Sequence, residues 1–341
     1  MGTLNILAIE SSCDETAVAI VRNGREVLCD CIASQVDLHR IYGGVVPEIA
    51  SRKHIEAIYG LADQALQQTG LTGADIDAVA VTYAPGLIGA VLVGVNFAKA
   101  VSLAMGKPLI PVHHIRGHIA ANYLAYPDLE PPFLCLVVSG GHTMIVEVKD
   151  YTEMNILGTT LDDAAGECFD KVGRVLGMPY PGGAALDRAA QKGDETRYHL
   201  PRSKPGENPY NMSFSGLKTA ALNLIHHAQQ VGEELDIPSL CAAFSGAVSD
   251  TLVPRAVMAL QETGYRKIAV AGGVAANSRI RGDILAAAEK LGVQVYMPPL
   301  KLCGDNAAMI GAQAYYEYLA GNQADMSLNA YATKSILGEA L

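Results

Sequence analysis

The sequence predicts an α/β protein made of two copies of one unit with a cleft between them. Two observations lead to this class. Apolar segments of strand length alternate along the chain with longer segments that carry helix start and stop signals. In addition, an apolar strand, a polar turn, a threonine and a second apolar strand occur in this order twice, near residue 12 and near residue 140. Such a repeat is typical of a duplicated α/β domain.

Strands are predicted where apolar runs are bounded by turn residues. The predicted strands are residues 4–10, 16–22, about 26–33, 133–138, 143–148, 267–271 and 294–297. Asn23-Gly24 is a favoured two-residue hairpin turn, and it joins the second strand to the third. In the second hairpin, the small residues of Ser139-Gly140-Gly141-His142 form the turn.

Helices are predicted from boundary residues and apolar content. The predicted helices are residues 47–68, 86–105, 114–126, 161–176, 239–263, 275–291 and 305–319. Pro47 in the first turn and Gly70 just past the end are typical helix boundaries. The helix at 86–105 is rich in small residues and is predicted to be buried. Residues 197–210 are polar with three prolines and are predicted to form a loop.

The composition favours a soluble cytoplasmic protein without a membrane span. Half of the 341 residues are apolar, but no segment reaches the roughly 18 uninterrupted apolar residues of a membrane helix. The first residues lead directly into a strand, without a basic segment or a cleavage site of the kind found in signal peptides. The seven cysteines form no C-x-x-C pair, which indicates reduced thiols in a reducing compartment.

The formal net charge of −10 opposes non-specific binding to nucleic acid. Such binding depends on Lys and Arg side chains that neutralise phosphates. Any contact with nucleic acid must therefore use a local basic patch or a basic partner protein.

His114 and His118 are candidate metal ligands because residues i and i+4 share one face of a helix. A zincin-type protease needs a glutamate directly after the first histidine, and Ile115 stands there instead. Two ordinary histidines one helical turn apart are the alternative. A metal site also needs a third ligand. Asp305 is a candidate, although it precedes an apolar helix and could equally be its N-cap.

Two glycine-containing joints are candidate phosphate sites. In Ser139-Gly140-Gly141-His142-Thr143 the glycines would let backbone N–H groups approach an anion, although a plain β-turn has the same pattern. Gly272-Gly273 follows a strand and precedes a helix, where the helix dipole favours negative charge. It does not match the dinucleotide fingerprint, and such a joint is also common as architecture alone.

Asp170 and Asp187 are candidate nucleoside ligands, because a carboxylate can accept hydrogen bonds from both ribose hydroxyls. The alternative for each is a solvated carboxylate on a helix. The sequence does not identify a general base, though Glu15 in the first hairpin is a candidate.

Taken together, these motifs resemble the TsaD family. They run in order from about residue 4 to residue 320: Ile9 to Thr16, Gly43 to Glu48, Ala50 to His54, Pro85 to Gly89, the His114/His118 pair, Ser139 to Thr143, Phe169 to Lys171, Tyr180 to Gly183, Ser213 to Lys218, Gly272 to Asn277, and Asp305-Asn306. The resemblance implies the fold of actin, sugar kinases and heat-shock chaperones. With that fold, we expect one subdomain at 1–112 plus about 306–341 and a second at 113–305.

The resemblance also implies an activity. Family members transfer a threonylcarbamoyl group from threonylcarbamoyl-AMP to the exocyclic amine of the adenosine 3′ of the anticodon, in tRNAs that read codons beginning with A. AMP is released. In bacteria they work with the paralogous partner TsaB and the ATPase TsaE. A metalloprotease, a sugar or acetate-type kinase, and a nucleotide-dependent scaffold are the rival functions.

The resemblance assigns site residues in three groups. His114, His118 and Asp305 would bind one divalent metal, iron(II) in the family, with zinc as the alternative. The adenylate would lie on the second hairpin, at Val137, Val138, Ser139, Gly140 and Gly141. Its nucleoside would be held by Asp170, Gly183, Asp187 and Asn277.

Two residues depart from the family pattern. Many members have Gly where this chain has Ala84, and Glu where it has Arg116. If that Glu is dispensable, it cannot be an essential protease base.

Overall fold

The computed structural model describes residues 2–204 and 206–337, which form two compact units. The first unit contains the described residues of Met1–Pro131, Lys149–Met154 and Pro298–Leu341, and the second contains those of Pro132–Val148 and Asn155–Met297. The predicted boundaries near 112 and 305 fall inside the first unit. The strand Leu109–His113 continues directly into the helix His114–Ala125, and this helix packs on the helix Ala307–Leu319. The chain therefore stays in the first unit beyond residue 112. The final residues of the predicted segment 306–341, from 338 onwards, lie outside the described part.

The helices and strands follow one another in the order β1 (Asn5–Glu10), β2 (Glu15–Arg22), β3 (Glu26–Ser34), α1 (Val36–Arg40), α2 (Pro47–Thr69), β4 (Ala78–Ala84), α3 (Ile88–Met105), β5 (Leu109–His113), α4 (His114–Ala125), β6 (Phe133–Val138), β7 (Thr143–Val148), β8 (Met154–Thr159), α5 (Ala165–Val175), α6 (Gly182–Ala190), α7 (Ser215–Val231), α8 (Ile237–Thr263), β9 (Lys267–Ala271), α9 (Ser278–Leu291), β10 (Gln294–Tyr296) and α10 (Ala307–Leu319). Predicted strands and helices agree with these within a few residues.

The two sheets have the same topology, which confirms the predicted duplication. The first sheet has the order β3-β2-β1-β4-β5. The second, written from its other edge, has the order β8-β7-β6-β9-β10. In both, the first strand of the hairpin pairs antiparallel with the second and parallel with a later strand, β4 or β9. Strands β1 and β6 are central and buried on both faces, which explains the uninterrupted apolar residues at 6–9 and 133–138.

Helix α7 was not predicted, although its sequence favours a helix. Its C-terminus has the expected left-handed Gly232, at φ 72°. At its N-terminus, the N-cap residue Phe214 provides no side-chain cap. Instead, Asp162 Oδ1 accepts hydrogen bonds from the backbone N–H groups of Phe214 and Ser215 at 2.8 and 3.3 Å. The same Asp162 lies in a turn, so that α5 begins at Ala165 and not at residue 161. The cap and the helix therefore come from distant parts of the sequence.

Helix α3 is only partly buried, contrary to the prediction for this segment. Its small residues, such as Ala90 and Ala98, pack in the core of the first unit. Ile88, Leu92 and Leu103 are exposed by 53%, 41% and 72%. Within the described residues, α3 is the helix whose 18 residues and mean hydropathy of 1.8 meet the length and composition expected of a membrane span, and a third of it is buried.

Candidate functional site

The two histidines and Asp305 meet in the first unit. Strand β5 ends at His113 and α4 begins at His114. His114 and His118 therefore lie one turn apart on one face of α4, with ring centroids 4.5 Å apart. Asp305 Oδ1 lies 3.6 Å from His114 Nε2 and 3.2 Å from His118 Nε2. One potential ligand atom from each of the three residues lies within 4.8 Å of the others.

Asp305 is not the N-cap of the helix that follows it. Asn306 fills that role, because its side chain accepts a hydrogen bond from Met309 N at 2.9 Å. The Asp305 carboxylate is therefore free to face the histidines. Of the two readings left open by the sequence, the structure favours the ligand.

Opposite charges hold this cluster together. Burial would raise the pKa of Asp305, but the imidazoles of His114 and His118 outweigh it and lower the pKa to about 2. Burial would lower the pKa of His114, but Asp305 and Glu10 raise it to about 9. The cluster therefore favours a positive charge, which the proton on His114 supplies here. A metal ion would take the place of that proton on the ligand nitrogen.

The donor set fits a divalent transition metal. Two imidazole nitrogens and one carboxylate oxygen form a 2-His-1-carboxylate set, which leaves coordination positions open for a further ligand. The nearby Cys303 thiol is engaged elsewhere, because it donates to Pro298 O and Pro299 O at 3.6 and 3.7 Å. The set is therefore one of nitrogen and oxygen donors.

Three residues around His114 were not individually predicted from the sequence to belong to the site. Glu10 Oε2 lies 3.0 Å from His114 Nδ1, and Ser12 Oγ lies 3.1 Å from the same nitrogen. Thr82 donates its hydroxyl to Glu10 Oε2 at 2.6 Å. The available signal was Glu10 itself, a carboxylate that ends a strand in which every residue is buried.

Glu15, the candidate base, begins β2 and accepts a hydrogen bond from Ser34 Oγ at 2.8 Å. Burial, together with the neighbouring Asp14 and Asp305, raises the pKa of Glu15 to about 9. The carboxyl group is then protonated at neutral pH, which opposes a role as a base. A cation held by Asp305 would lower this pKa by favouring the carboxylate.

In the second unit, the turn between β6 and β7 is built from close backbone contacts. Glu167 N donates to Gly140 O at 3.0 Å, which ties α5 to the turn. A Cβ on Gly166 would lie 2.5 Å from Ser139 O, so α5 can approach only because this residue is glycine. A Cβ on Gly272 would likewise lie 2.5 Å from Val138 O, which brings the Gly272-Gly273 joint against the same turn.

The turn presents its glycines to the outside. Gly140 and Gly141 are exposed, and no heavy atom of the described residues lies within 4 Å of a Cβ built on either of them. By contrast, Val137 and Val138 are fully buried strand residues. Between residues 137 and 141, the atoms that can contact a ligand are therefore the backbone of Gly140 and Gly141, together with Ser139, which is 7% exposed.

The four candidate nucleoside residues fall into two pairs. Asp170 Oδ1 accepts a hydrogen bond from Gly183 N at 3.1 Å. Asp187 Oδ1 accepts from Ser278 N at 3.0 Å, directly beside Asn277, whose side chain caps α9. The side chains of Asp170, Asp187 and Asn277 thus each accept a hydrogen bond within the second unit, and the roles of the four residues towards a nucleoside stay predictions.

A cavity of about 230 Å³ adjoins the second pair. Asp187 and Ser278 line it, together with Ser245 and Arg279. Ser245 Oγ is buried and has no hydrogen-bond partner among the described residues. A ligand in this cavity would find both an acceptor and an unused hydroxyl.

Two sheets of this topology, each beginning with a hairpin, are the fold of the class that contains the actin-like ATPases and the sugar kinases. Solved structures share this fold: HypF of T. kodakarensis (TM-score 0.64, 15% identity, 94% of this chain and 48% of that chain) and component A of (R)-2-hydroxyglutaryl-CoA dehydratase from Acidaminococcus fermentans (TM-score 0.55, 14% identity, 93% and 99%). ROK hexokinase of Thermus thermophilus is another (TM-score 0.50, 13% identity, 93% and 100%). At such low identity they show the fold alone.

Within that class, the family model described as TsaD: tRNA N6-adenosine threonylcarbamoyltransferase matches residues 26–312. Relatives with this name are 52% identical in Clostridium botulinum (strain 657 / Type Ba4), over 96% of both chains, and 55% identical in Moorella thermoacetica, over 96% of this chain and 95% of the other. The chain therefore belongs to the TsaD family, which confirms the resemblance seen in the sequence.

Proposed function

We propose that this protein transfers the threonylcarbamoyl group from threonylcarbamoyl-AMP to the exocyclic amine of the adenosine 3′ of the anticodon, in tRNAs that read codons beginning with A. The observation that carries this proposal is the identity of more than half of the residues, over almost the whole chain, with relatives named for tRNA N6-adenosine threonylcarbamoyl transfer. The other product is AMP. A tRNA-modifying enzyme of this kind would work in the cytoplasm.

In the proposed reaction, the adenosine amine attacks the carbamoyl carbonyl, and the bond from that carbon to the phosphate oxygen breaks. Exposed backbone N–H groups at Gly140 and Gly141 would receive the phosphate, for which their open surroundings provide support. Asp170, Gly183, Asp187 and Asn277 would hold the nucleoside. The cavity beside Asp187 supports this assignment.

His114, His118 and Asp305 would hold one divalent metal, for which we favour iron(II), with zinc as the alternative. When bound, the ion would supply Lewis-acid stabilisation of the charge that develops on the substrate. The three side chains would fix its position in the first unit.

Glu15 remains the candidate for the group that accepts the amine proton. This role requires the carboxylate form, whereas burial and the neighbouring carboxylates raise the pKa of Glu15 to about 9. Replacing Glu15 with Gln tests the role, because a transfer rate close to that of the unmodified protein would exclude it.

Contacts with tRNA must overcome the net charge of −10. The basic side chains of residues 52–54 and of the loop 202–218 are the candidate tRNA contacts. Three of them already have acidic partners: Lys53 pairs with Glu56 at 2.5 Å, Arg202 pairs with Asp250 at 2.9 Å, and Lys218 pairs with Asp163. Such pairing weakens the case for these residues and supports the participation of partner proteins.

We propose the paralogue TsaB and the ATPase TsaE as these partners. The first unit offers a surface for a partner on α2 and α3, where apolar side chains are exposed to solvent. These are Ile55 at 63%, Tyr59 at 73%, Ile88 at 53%, Leu92 at 41% and Leu103 at 72%. Large apolar groups concentrated on two neighbouring helices are typical of protein interfaces.

The proposed function is tested by supplying the purified protein with threonylcarbamoyl-AMP and tRNA, alone and with TsaB and TsaE. The readouts are AMP release and the mass of the nucleosides after digestion. The matched control is the same tRNA with guanosine in place of the target adenosine, which offers no N6 amine. We expect the modified adenosine only in the first tRNA, and its absence in every combination would overturn the proposal.

A further inference from the structure

Glu10 is a buried carboxylate at the centre of the first unit. It is the last residue of β1 and is fully inaccessible to solvent. A buried carboxylate is stable only with strong hydrogen-bond donors around it. Ser12 N donates to Oε1 at 2.5 Å, and Thr82 Oγ1 donates to Oε2 at 2.6 Å. These two donors fix the carboxylate in place.

The same Oε2 atom lies 3.0 Å from His114 Nδ1. Nδ1 is the ring nitrogen that points away from the ligand cluster, because His114 Nε2 faces Asp305. A carboxylate with two donors already in place still has acceptor capacity for an N–H group. The geometry therefore favours an imidazole that carries its proton on Nδ1 and leaves the Nε2 lone pair for a ligand.

His118 lacks such support. Its Nε2 lies 3.2 Å from Asp305 Oδ1, as expected of a second ligand. Its Nδ1 is buried and has no hydrogen-bond partner among the residues that the structure describes. The two histidines therefore differ, because only His114 has its outer nitrogen held by a carboxylate.

We propose that Glu10 is a positioning residue for the metal site, which holds His114 with Nδ1 protonated and Nε2 directed at the ion. This inference rests on the proposed metal site of His114, His118 and Asp305. A carboxylate behind a ligating histidine fixes its tautomer and ring orientation and makes the ligand more basic. Among the three ligands, the hydrogen bond of Glu10 is to His114, so His114 is the side chain through which it positions the ion.

The turn between β1 and β2, here called the first turn, explains why the Glu10 carboxylate is held in one position. Strand β1 pairs with β2 on one side and with β4 on the other, so Glu10 receives Ser12 from its own turn and Thr82 from β4. Ser12 Oγ lies 3.1 Å from His114 Nδ1 and is the competing partner for that nitrogen. Because Oε2 and Oγ compete, the variants Glu10→Gln and Ser12→Ala separate their contributions.

Metal affinity tests the inference. The intact protein and each variant are titrated with Zn²⁺ in competition with a chromophoric chelator. We expect Glu10→Gln to weaken binding by about 10- to 100-fold, as for other partners of metal-bound histidines, and Ser12→Ala to weaken it by less than about 3-fold. Ser11→Ala is the matched control, because Ser11 Oγ is also buried in this turn but donates to Ala90 O and touches no histidine. An unchanged affinity in Glu10→Gln, or an equal loss in Ser11→Ala, would overturn the inference.

Asp305→Ala separates this outcome from failure of the site itself. If Asp305→Ala binds Zn²⁺ as tightly as the unmodified protein, the three-residue site is wrong. If Asp305→Ala loses binding while Glu10→Gln keeps it, only the role of Glu10 is wrong. The metal site then stands without it.

A measurement on the unmodified protein covers the case in which Glu10→Gln fails to fold. In the zinc-loaded protein labelled with ¹⁵N-histidine, long-range ¹H–¹⁵N spectra identify which ring nitrogen carries the proton. We expect His114 to show a protonated Nδ1 and a zinc-bound Nε2. Zinc on Nδ1, or a proton on Nε2, contradicts the inference.

Discussion

The two hairpin turns occupy equivalent places in the two sheets but differ in exposure and in the groups that they present. In the first, Ser11 and Ser12 are 1% and 2% exposed, and their hydroxyls are used within the protein. In the second, Gly140 and Gly141 are exposed, and their surroundings are open. The first turn thus holds buried side chains in place by hydrogen bonds, whereas the second exposes backbone atoms to solvent.

This difference shows how a duplicated topology can support two kinds of site. Side chains in the first turn can orient a ligand such as His114, because buried hydrogen bonds allow little movement. Glycines in the second turn let an anion approach the N–H groups directly. We infer that the first copy is specialised for a metal and the second for a phosphate.

The largest expected effect concerns metal binding to the first unit. At a zinc concentration about 1,000 times the dissociation constant, we expect the free energy of unfolding to rise by about 4 kcal/mol. His118→Ala should lose this gain, because one of three ligands is missing. His142→Ala, in the second turn, should retain it. Thermal unfolding with and without zinc measures both, and a loss in His142→Ala would break the division between the two turns.

The next largest effect concerns the stability contributed by a buried ion pair of the first unit, Arg116 and Glu317, which lies outside the first turn. Arg116 Nη1 donates to Glu317 Oε1 at 3.0 Å, and their side chains are only 11% and 6% exposed. Arg116→Ala leaves the carboxylate of Glu317 buried without its counter-ion, which should lower the free energy of unfolding by about 3 kcal/mol.

The double variant Arg116→Ala/Glu317→Ala is the control for that measurement. It should recover part of the loss in urea unfolding, because no unpaired charge remains. Equal losses in the single and double variants would show that packing, and not charge, is responsible. Zinc affinity should not change in either, because within the described part of the chain the hydrogen bonds of the Arg116 side chain go to Ile336, Thr152 and Glu317 and not to the three ligands.

A smaller effect tests the second turn with two glycines of different surroundings. Gly166→Ala places a Cβ 2.5 Å from Ser139 O and should lower the free energy of unfolding by about 1–3 kcal/mol. The Cβ of Gly140→Ala would meet no heavy atom of the described residues beyond its chain neighbours within 4 Å, so this variant should change the free energy of unfolding by less than about 0.5 kcal/mol.

AMP affinity in these variants then distinguishes the two roles of glycine. We expect Gly140→Ala to weaken AMP binding at nearly unchanged stability, because a methyl group would stand where the phosphate approaches the backbone. Unchanged AMP affinity in this variant would remove the second turn from the phosphate site.

How far the sequence predicts the molecule depends on the range of the interactions. Strands β1, β2, β6 and β7 were predicted because their apolar patterns and turn residues are local signals. Helix α7 was not predicted, because its N-terminal cap, Asp162, lies 52 residues before Phe214. Local reading cannot detect a cap supplied from another element.

The candidate site shows the same limit. Spacing alone brought His114 and His118 together, because both lie on one helix. For Asp305 the sequence left two alternatives open, a third ligand or an N-cap, and only the family resemblance chose between them, since nearly 190 residues separate it from His118. Glu10 stood in a recognised motif without a role of its own, because its contact with His114 joins residues 104 positions apart.

The smallest effect concerns Asp30, a carboxylate on β3 that meets the first turn of α10. Burial raises the pKa of Asp30 to about 6, although Ala307 N donates to its Oδ1 at 3.3 Å and opposes the shift. Because the folded-state pKa lies above the unfolded value, the folded protein holds more protons between about pH 4 and pH 6. Its free energy of unfolding therefore falls as the pH rises through that window.

Asp30→Asn removes this titration while keeping an oxygen acceptor for α10. We expect the variant to be more stable than the unmodified protein by about 1 kcal/mol at pH 7 and to lose this advantage near pH 4. Urea unfolding of metal-free protein at the two pH values measures the difference. Asp37→Asn, whose aspartate side chain is 90% exposed, controls for the loss of one negative charge. If the advantage of Asp30→Asn over the unmodified protein is no larger at pH 7 than at pH 4, the half-buried carboxylate of Asp30 does not destabilise the first unit at neutral pH.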